Sequence, residues 1–173
     1  MGFMGAGKTS VGEILAEKLG WRFCDQDLEI EKKTGVTISQ LFAKGQEYFR
    51  DLESQLLSQC LKEEKLVLAT GGGVVTRKEN LELLLSQCTV VYLKVPVELL
   101  WERTGGEAGA CQRPLLQAGF ANFCRLFQER EPSYLQAQIL VDGTGEPQEI
   151  AQKIIAGWRD GRGGHNPTGA GEK

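Results

Sequence analysis

Apolar positions recur at helical and strand-like spacings in turn along this chain, and the alternation outlines an α/β fold. Val11, Ile14, Leu15 and Leu19 fall on one face of a helix expected over residues 8–19, with Gly20 placed to stop it. Residues 21–25 read as a short strand. Phe49, Leu52, Leu56, Leu57 and Cys60 keep helical spacing through a longer helix over about 46–63. Residues 66–70 read as a buried strand that runs into Gly71-Gly72-Gly73, and 89–95 as another, after which Pro96 opens a helix. Thr37-Ile-Ser-Gln40 and Thr76-Arg-Lys-Glu79 have capping-box spacing, so helices are expected to start at both. A helix over about 119–131 should stop at Pro132. Residues 138–142 form the last strand, and Ile150, Ile154, Ile155 and Trp158 mark the last helix. Strands alternating with helices in this way predict a parallel sheet between helical layers.

The Gly-rich stretch 105–112 has no periodicity and reads as a mobile loop, part of a lid over about 105–116. One domain is expected over 1–160, followed by a Gly-rich, disordered tail at 161–173. No internal repeat or second domain is visible.

Composition narrows the function classes. A formal charge of −3 argues against general affinity for nucleic acid or anionic membranes, so any anion must be met by a few local cations. Five cysteines (Cys24, Cys60, Cys88, Cys111, Cys124) are scattered without a Cys-x-x-Cys pair, which suggests small core residues in a reduced, cytoplasmic compartment. The only histidine, His165, lies in the tail and is a poor acid–base candidate. Apolar runs fall far short of the ~20 residues a membrane span needs.

Several short motifs could carry chemistry. Gly2-Phe-Met-Gly5-Ala6-Gly7-Lys8-Thr9 fits G-x-x-x-x-G-K-[ST], the loop whose backbone N–H groups cradle phosphates at a helix N-terminus. Lys8 would reach the β- and γ-phosphates, and the Thr9 hydroxyl would ligate Mg²⁺. Asp25 and Asp27 end the next strand. In extended chain they would point the same way into one cleft; the plain alternative is capping of the helix that follows. Arg50 and Glu53 are either a surface ion pair or an arginine fork for a carboxylate, oriented by the glutamate. The three glycines at 71–73 favour close approach of a ligand to backbone. Arg103, Arg113 and Arg130 each read as ordinary surface in isolation.

Together, in this order and spacing, the motifs resemble the shikimate kinase family along nearly the whole chain to about Trp158. The resemblance rests on the P-loop, Asp25-x-Asp27, Phe49-Arg50-Asp-Leu-Glu53, Gly71-Gly72-Gly73, Arg103-Thr-Gly-Gly106, Arg113-Pro-Leu-Leu116 and Arg130-Glu-Pro-Ser-Tyr134. It implies a three-layer P-loop NTPase fold of the nucleoside-monophosphate-kinase type. It also implies Mg²⁺-dependent transfer of the γ-phosphate of ATP to the 3-hydroxyl of shikimate by a monomeric enzyme of aromatic amino-acid biosynthesis. On this resemblance Gly5, Ala6, Gly7, Lys8, Thr9, Ser10, Arg103 and Arg113 would bind ATP. Asp27, Arg50, Gly72, Gly73 and Arg130 would bind shikimate, with the two arginines on its carboxylate. Thr9 would hold Mg²⁺ directly and Asp25 through water; Asp27, Lys8 and Arg113 would be the catalytic set.

The chain departs from the family pattern in four places. Only Met1 precedes Gly2, where the family has an apolar strand in mid-sheet, so an upstream Val/Ile/Leu-rich run is expected. Gln46 stands where glutamate is usual and is expected to weaken support around Arg50. The lid is several residues longer than usual. An arginine many members carry by adenine is absent from Asp142-Gly-Thr-Gly-Glu-Pro147. Two rival readings stay open: a gluconate kinase-like enzyme, and a non-catalytic nucleotide-binding module.

Overall fold

The computed structural model describes residues 1–106 and 119–162. Apart from their first two positions, the expected lid (with Arg113) and the expected tail lie outside these residues.

Helix α1 (Lys8–Leu19) has the predicted span, and Gly20 closes it at φ 66° with its N–H on the Ala16 and Glu17 carbonyls. Strand β1 (Arg22–Asp25) turns at once into α2 (Gln26–Thr34), which is followed by α3 (Ile38–Ala43) and α4 (Gln46–Cys60). The capping box at Thr37 forms: its hydroxyl accepts from Gln40 N–H, while the Gln40 side chain accepts from Thr37 N–H.

Strand β2 (Leu66–Ala69) leads through the glycine turn into a single 3₁₀ turn, Val74–Thr76, and then α5 (Lys78–Gln87). The capping box expected at Thr76 does not form. Arg77 occupies the N-cap, and the Thr76 hydroxyl donates to the Gly73 carbonyl at 2.7 Å. Because the chain is still coiled in the 3₁₀ turn, that hydroxyl meets a carbonyl behind it before it can reach forward to α5.

Strand β3 (Val91–Lys94), helix α6 (Val97–Arg103) opened by Pro96, α7 (Gly119–Tyr134), β4 (Ile139–Asp142) and α8 (Pro147–Gly157) complete the order. The expected stop at Pro132 is corrected: α7 continues through it to Tyr134. Near a helix end the proline forfeits a single backbone bond, to Gln128. Burial of Tyr134, whose ring lies 5.3 Å from that of Tyr92, holds the last turn in place.

β1 pairs in parallel with β2, and β3 with β4, with Asp25 opposite Ala69 and Lys94 opposite Asp142. The Met1 amino group donates to the Val91 carbonyl, and the Met1 carbonyl accepts from Leu93 N–H at 3.1 Å, so the chain start runs parallel along β3. On its other side lies Gly72, where an added methyl would sit 3.3 Å from Met4 N. The first residues therefore lie between the two strand pairs.

α1 and α8 pack together on one face, while α7 covers the opposite face of β3 through Tyr134 on Tyr92. The larger core centres on Phe3, Val74, Tyr92, Leu93, Phe123 and Ile150. A second, smaller core of Cys24, Ile30, Leu41, Phe49, Leu56 and Cys60 joins α2, α3 and α4 to β1. Cys24 and Cys60 are free thiols with sulfurs 3.9 Å apart, and burial pushes Cys60 up to about 12. Thiols so placed are inert packing, as the sequence implied. No helix among the described residues is long and apolar enough to cross a membrane.

Candidate active site

Gly5 and Gly7 both take φ 82°, which curls the chain so that α1 begins at Lys8 with its first N–H groups directed into the loop. Lys8 Nζ donates across the loop to the Phe3 carbonyl at 2.9 Å. The Thr9 hydroxyl donates to Asp25 Oδ2 at 2.6 Å. The other oxygen of Asp25 accepts from Asp27 N–H at 3.0 Å and Leu28 N–H at 3.2 Å, capping α2. Asp25 therefore caps the helix with one oxygen and turns the other to the P-loop threonine.

Asp27 stands in the first turn of α2, not in extended chain. Strand alternation is thus not what brings the two carboxylates together; the abrupt turn from β1 into α2 does so. A methyl group at Gly71 would lie 2.8 Å from Asp27 Oδ1 and 2.6 Å from Glu53 Oε1, which puts both carboxylates against the glycine turn. Burial pushes the Asp27 carboxyl above the usual range, with nearby Lys8 pulling back and Asp25 adding to the rise.

The surface reading of Arg50 and Glu53 is overturned. Their side chains are 4% and 0% exposed, and Arg50 Nη1 meets Glu53 Oε2 at 2.6 Å. The guanidinium also lies 5.3 Å from the Phe49 ring centre and 5.8 Å from that of Phe42. Gln46 is exposed on the first turn of α4. Arg50 Nε and Glu53 Oε1 are buried without a hydrogen-bond partner among the described residues, an arrangement that invites a polar ligand. Burial raises the Glu53 carboxyl, and Arg50 opposes that rise.

The glycine turn joins these groups. At Gly73 an added methyl would sit 2.2 Å from both terminal nitrogens of Arg50, so any side chain there would displace that guanidinium. The Gly72 carbonyl accepts from Arg130 Nη1 at 3.4 Å and from the Tyr134 hydroxyl. Arg130 is buried beside the Phe3 ring and has no carboxylate within ion-pair distance among the described residues. Burial pulls its guanidinium below the usual arginine value. Two buried guanidinium groups, two carboxylates and the P-loop lysine thus meet around one short segment of backbone.

The sequence model of the shikimate kinase family matches residues 4–158. The chain belongs to the shikimate kinase family. It is 41% identical over 157 residues to the shikimate kinase of Persephonella marina, covering 90% of this chain and 94% of that one. It is 44% identical over 159 residues to that of Aromatoleum aromaticum, covering 89% of each. Among solved structures, shikimate kinase from Acinetobacter baumannii in complex with shikimate superposes with a TM-score of 0.85 at 41% identity, over 92% of this chain and 90% of that one. The Aquifex aeolicus shikimate kinase superposes at 0.84 and 35% identity, over 95% and 97%. A gluconokinase from Sinorhizobium meliloti reaches 0.58 at 18% identity over 92% and 89%, a likeness of fold alone.

Against the shikimate kinase pattern, the P-loop, Asp25, Asp27, Arg50, Gly72, Gly73 and Arg130 come together around the glycine turn. Arg103 lies apart: its fork donates to the Gly143 carbonyl at 3.0 Å and the Thr144 carbonyl at 3.3 Å. It ties α6 to the loop after β4, the same loop that lacks the family's adenine-side arginine. In that loop Asp142 accepts from the Thr144 N–H and hydroxyl, which hold its carboxyl below the usual range. Arg113 lies outside the described residues.

Two residues of the site had no role assigned from the sequence. Tyr134, named there only as the end of the Arg130-Glu-Pro-Ser-Tyr134 motif, stands four residues after Arg130, a same-face spacing hidden by the expected stop at Pro132. Gln26, between the two aspartates, carries no local signal of its role.

Proposed function

We propose that this chain transfers the γ-phosphoryl group of ATP to the 3-hydroxyl of shikimate, in the route to chorismate and the aromatic amino acids. The observation that carries this reading is Arg130, a buried guanidinium without an ionic partner among the described residues, sharing the glycine turn with Arg50 and Asp27. A buried cation calls for an anion, and a carboxylated acceptor supplies one.

In this reading the acceptor's carboxylate lies between Arg50 and Arg130, and backbone at Gly72 and Gly73 supports the ring. Asp27 accepts a hydrogen bond from the ring hydroxyl and stands ready to take its proton. The hydroxyl oxygen then attacks the γ-phosphorus as the bond to the β-phosphate oxygen breaks. Such a transfer has a loose transition state, so positioning and charge neutralisation do most of the work. Lys8 and the N–H groups of Gly5, Ala6, Gly7, Thr9 and Ser10 hold the phosphates, Arg103 borders the base, and Arg113 acts from the lid.

Family members are ATP-dependent kinases that generally need a divalent metal, and Mg²⁺ suits the donors here. The Thr9 hydroxyl and Asp25 carboxylate, 2.6 Å apart, are hard oxygen ligands of the kind Mg²⁺ takes alongside phosphate and water. Thr9 would bind the ion directly and Asp25 through water; when bound, it offsets negative charge on the phosphate oxygens. The same reading makes the enzyme a cytoplasmic monomer.

A coupled ADP-release assay with shikimate, gluconate or no acceptor tests the proposal. Shikimate-dependent turnover is expected. Turnover with gluconate alone would favour a gluconate kinase-like enzyme, and no acceptor-dependent turnover would favour a non-catalytic nucleotide-binding module.

A further inference from the structure

Gln26 is 0% exposed and lies between Asp25 and Asp27, yet it has no part in the roles given so far. Its amide is used at both ends. Nε2 donates to the Glu53 carbonyl of α4 at 2.8 Å, and Oε1 accepts from the Gly71 N–H at 3.0 Å. The partners fix the amide's orientation, because a carbonyl can only accept and a backbone N–H can only donate. Leucine at this position would satisfy neither. An ionised glutamate would satisfy Gly71 but set a negative oxygen against the Glu53 carbonyl.

We propose that Gln26 is a positioning residue that sets the geometry of the acceptor pocket by joining α2, α4 and the glycine turn through one side chain. Each element it joins carries an acceptor-facing group: Asp27 is the next residue along α2, and Arg50 with Glu53 projects from α4. Gly71 opens the turn whose Gly72 and Gly73 meet Arg130 and Arg50. Gly71 has little slack, since a methyl there would come within 2.6 Å of Glu53 Oε1 and 2.8 Å of Asp27 Oδ1. A turn released from Gln26 shifts relative to both carboxylates. The nucleotide groups are anchored elsewhere, through Thr9 on Asp25 and Lys8 on Phe3, so the effect falls on the acceptor. This inference rests on the proposed kinase reading.

The test is steady-state kinetics of Gln26→Leu and Gln26→Glu in the full chain, with shikimate and ATP varied separately. For Gln26→Leu the shikimate KM should rise about tenfold or more, as expected for two buried hydrogen bonds lost, while the ATP KM moves less than about threefold. Gln26→Glu, which keeps the bond to Gly71, should fall between Gln26→Leu and the parent chain. A shikimate KM within twofold of the parent in Gln26→Leu overturns the inference, as does an equal rise in both KM values. If the parent chain itself does not use shikimate, the functional reading fails instead. Should neither variant fold, hydrogen exchange in the parent chain decides: a slowly exchanging Gly71 amide is expected, and one that exchanges as fast as an exposed amide overturns the proposal.

Discussion

Replacing Arg130 with methionine separates binding from folding, because the structure gives this side chain an unusual energetic position. It is 7% exposed, it reaches the Gly72 carbonyl through a long hydrogen bond of 3.4 Å, no carboxylate lies within ion-pair distance of it among the described residues, and its pairing charge would arrive with the acceptor. A charge-assisted hydrogen bond is worth about 1.5–3 kcal/mol, so removing the guanidinium should raise the shikimate KM by about 10- to 150-fold. Methionine keeps the length and bulk of the stem. The folded state loses a cation–π contact with Phe3, of order 0.5–2 kcal/mol, but also sheds a desolvated and unpaired charge. Tyr134 continues to satisfy the Gly72 carbonyl. The melting temperature should therefore hold or rise, and the ATP KM should stay within about twofold. Coupled ADP release, with each substrate varied at saturation of the other, gives both constants, and a thermal melt gives the third. A shikimate KM unchanged within twofold would refute the carboxylate assignment. A collapse in melting temperature would refute the view of Arg130 as a cation waiting for its partner.

Arg50→Met should behave in the opposite way. It strands the fully buried Glu53, at a cost of about 3–5 kcal/mol in chemical denaturation, and adding Glu53→Gln should recover most of that loss. Gly73→Ala places a methyl where the Arg50 guanidinium now lies, so the shikimate KM should rise at least about tenfold with little change for ATP, as initial rates will show. To take the proton of the ring hydroxyl, Asp27 would have to be ionised, and its carboxyl is raised by burial. The acidic limb of kcat/KM should therefore lie above the ordinary value of 3.8 and disappear in Asp27→Asn, with kcat lower by roughly a hundredfold or more. For stability the sign reverses. The raised carboxyl favours folding while protonated, a contribution complete below 3.8 and lost as pH rises through the folded value, so Asp27→Asn should be more stable than the parent at neutral pH in urea melts.

How much of this was legible in the sequence varies from residue to residue, for physical reasons. α1 was readable end to end because Gly7 and Gly20 bound a regular apolar stripe, and both signals are local. The Thr37 capping box was readable for the same reason. The same motif at Thr76 misled, because the preceding 3₁₀ turn offered the hydroxyl a nearer carbonyl, and that turn depends on how the glycines fold. At Arg50 and Glu53 an i,i+3 pair looks alike on an exposed and a buried face. Only the packing of α4 against α2 and α3 tells them apart, although the family resemblance pointed the right way. Asp25 and Asp27 were placed in one cleft correctly by the wrong geometry, since a cap and a strand can bring two carboxylates together equally well. Gln26 could not be read at all: its partner Gly71 lies 45 residues away, and nothing about a polar residue between two acids marks it as a brace.

The central claim is that the ring alcohol of a carboxylated acceptor is held at the P-loop by Asp27, Arg50 and Arg130. Phosphorus–proton correlation NMR of the product formed from ATP and shikimate tests it most directly. The account predicts one shikimate-dependent phosphate monoester, coupled to the proton on carbon 3, whose yield falls sharply at limiting shikimate in Arg130→Met. A phosphate on any other ring position, or ATP consumption without a phosphorylated acceptor, would contradict it.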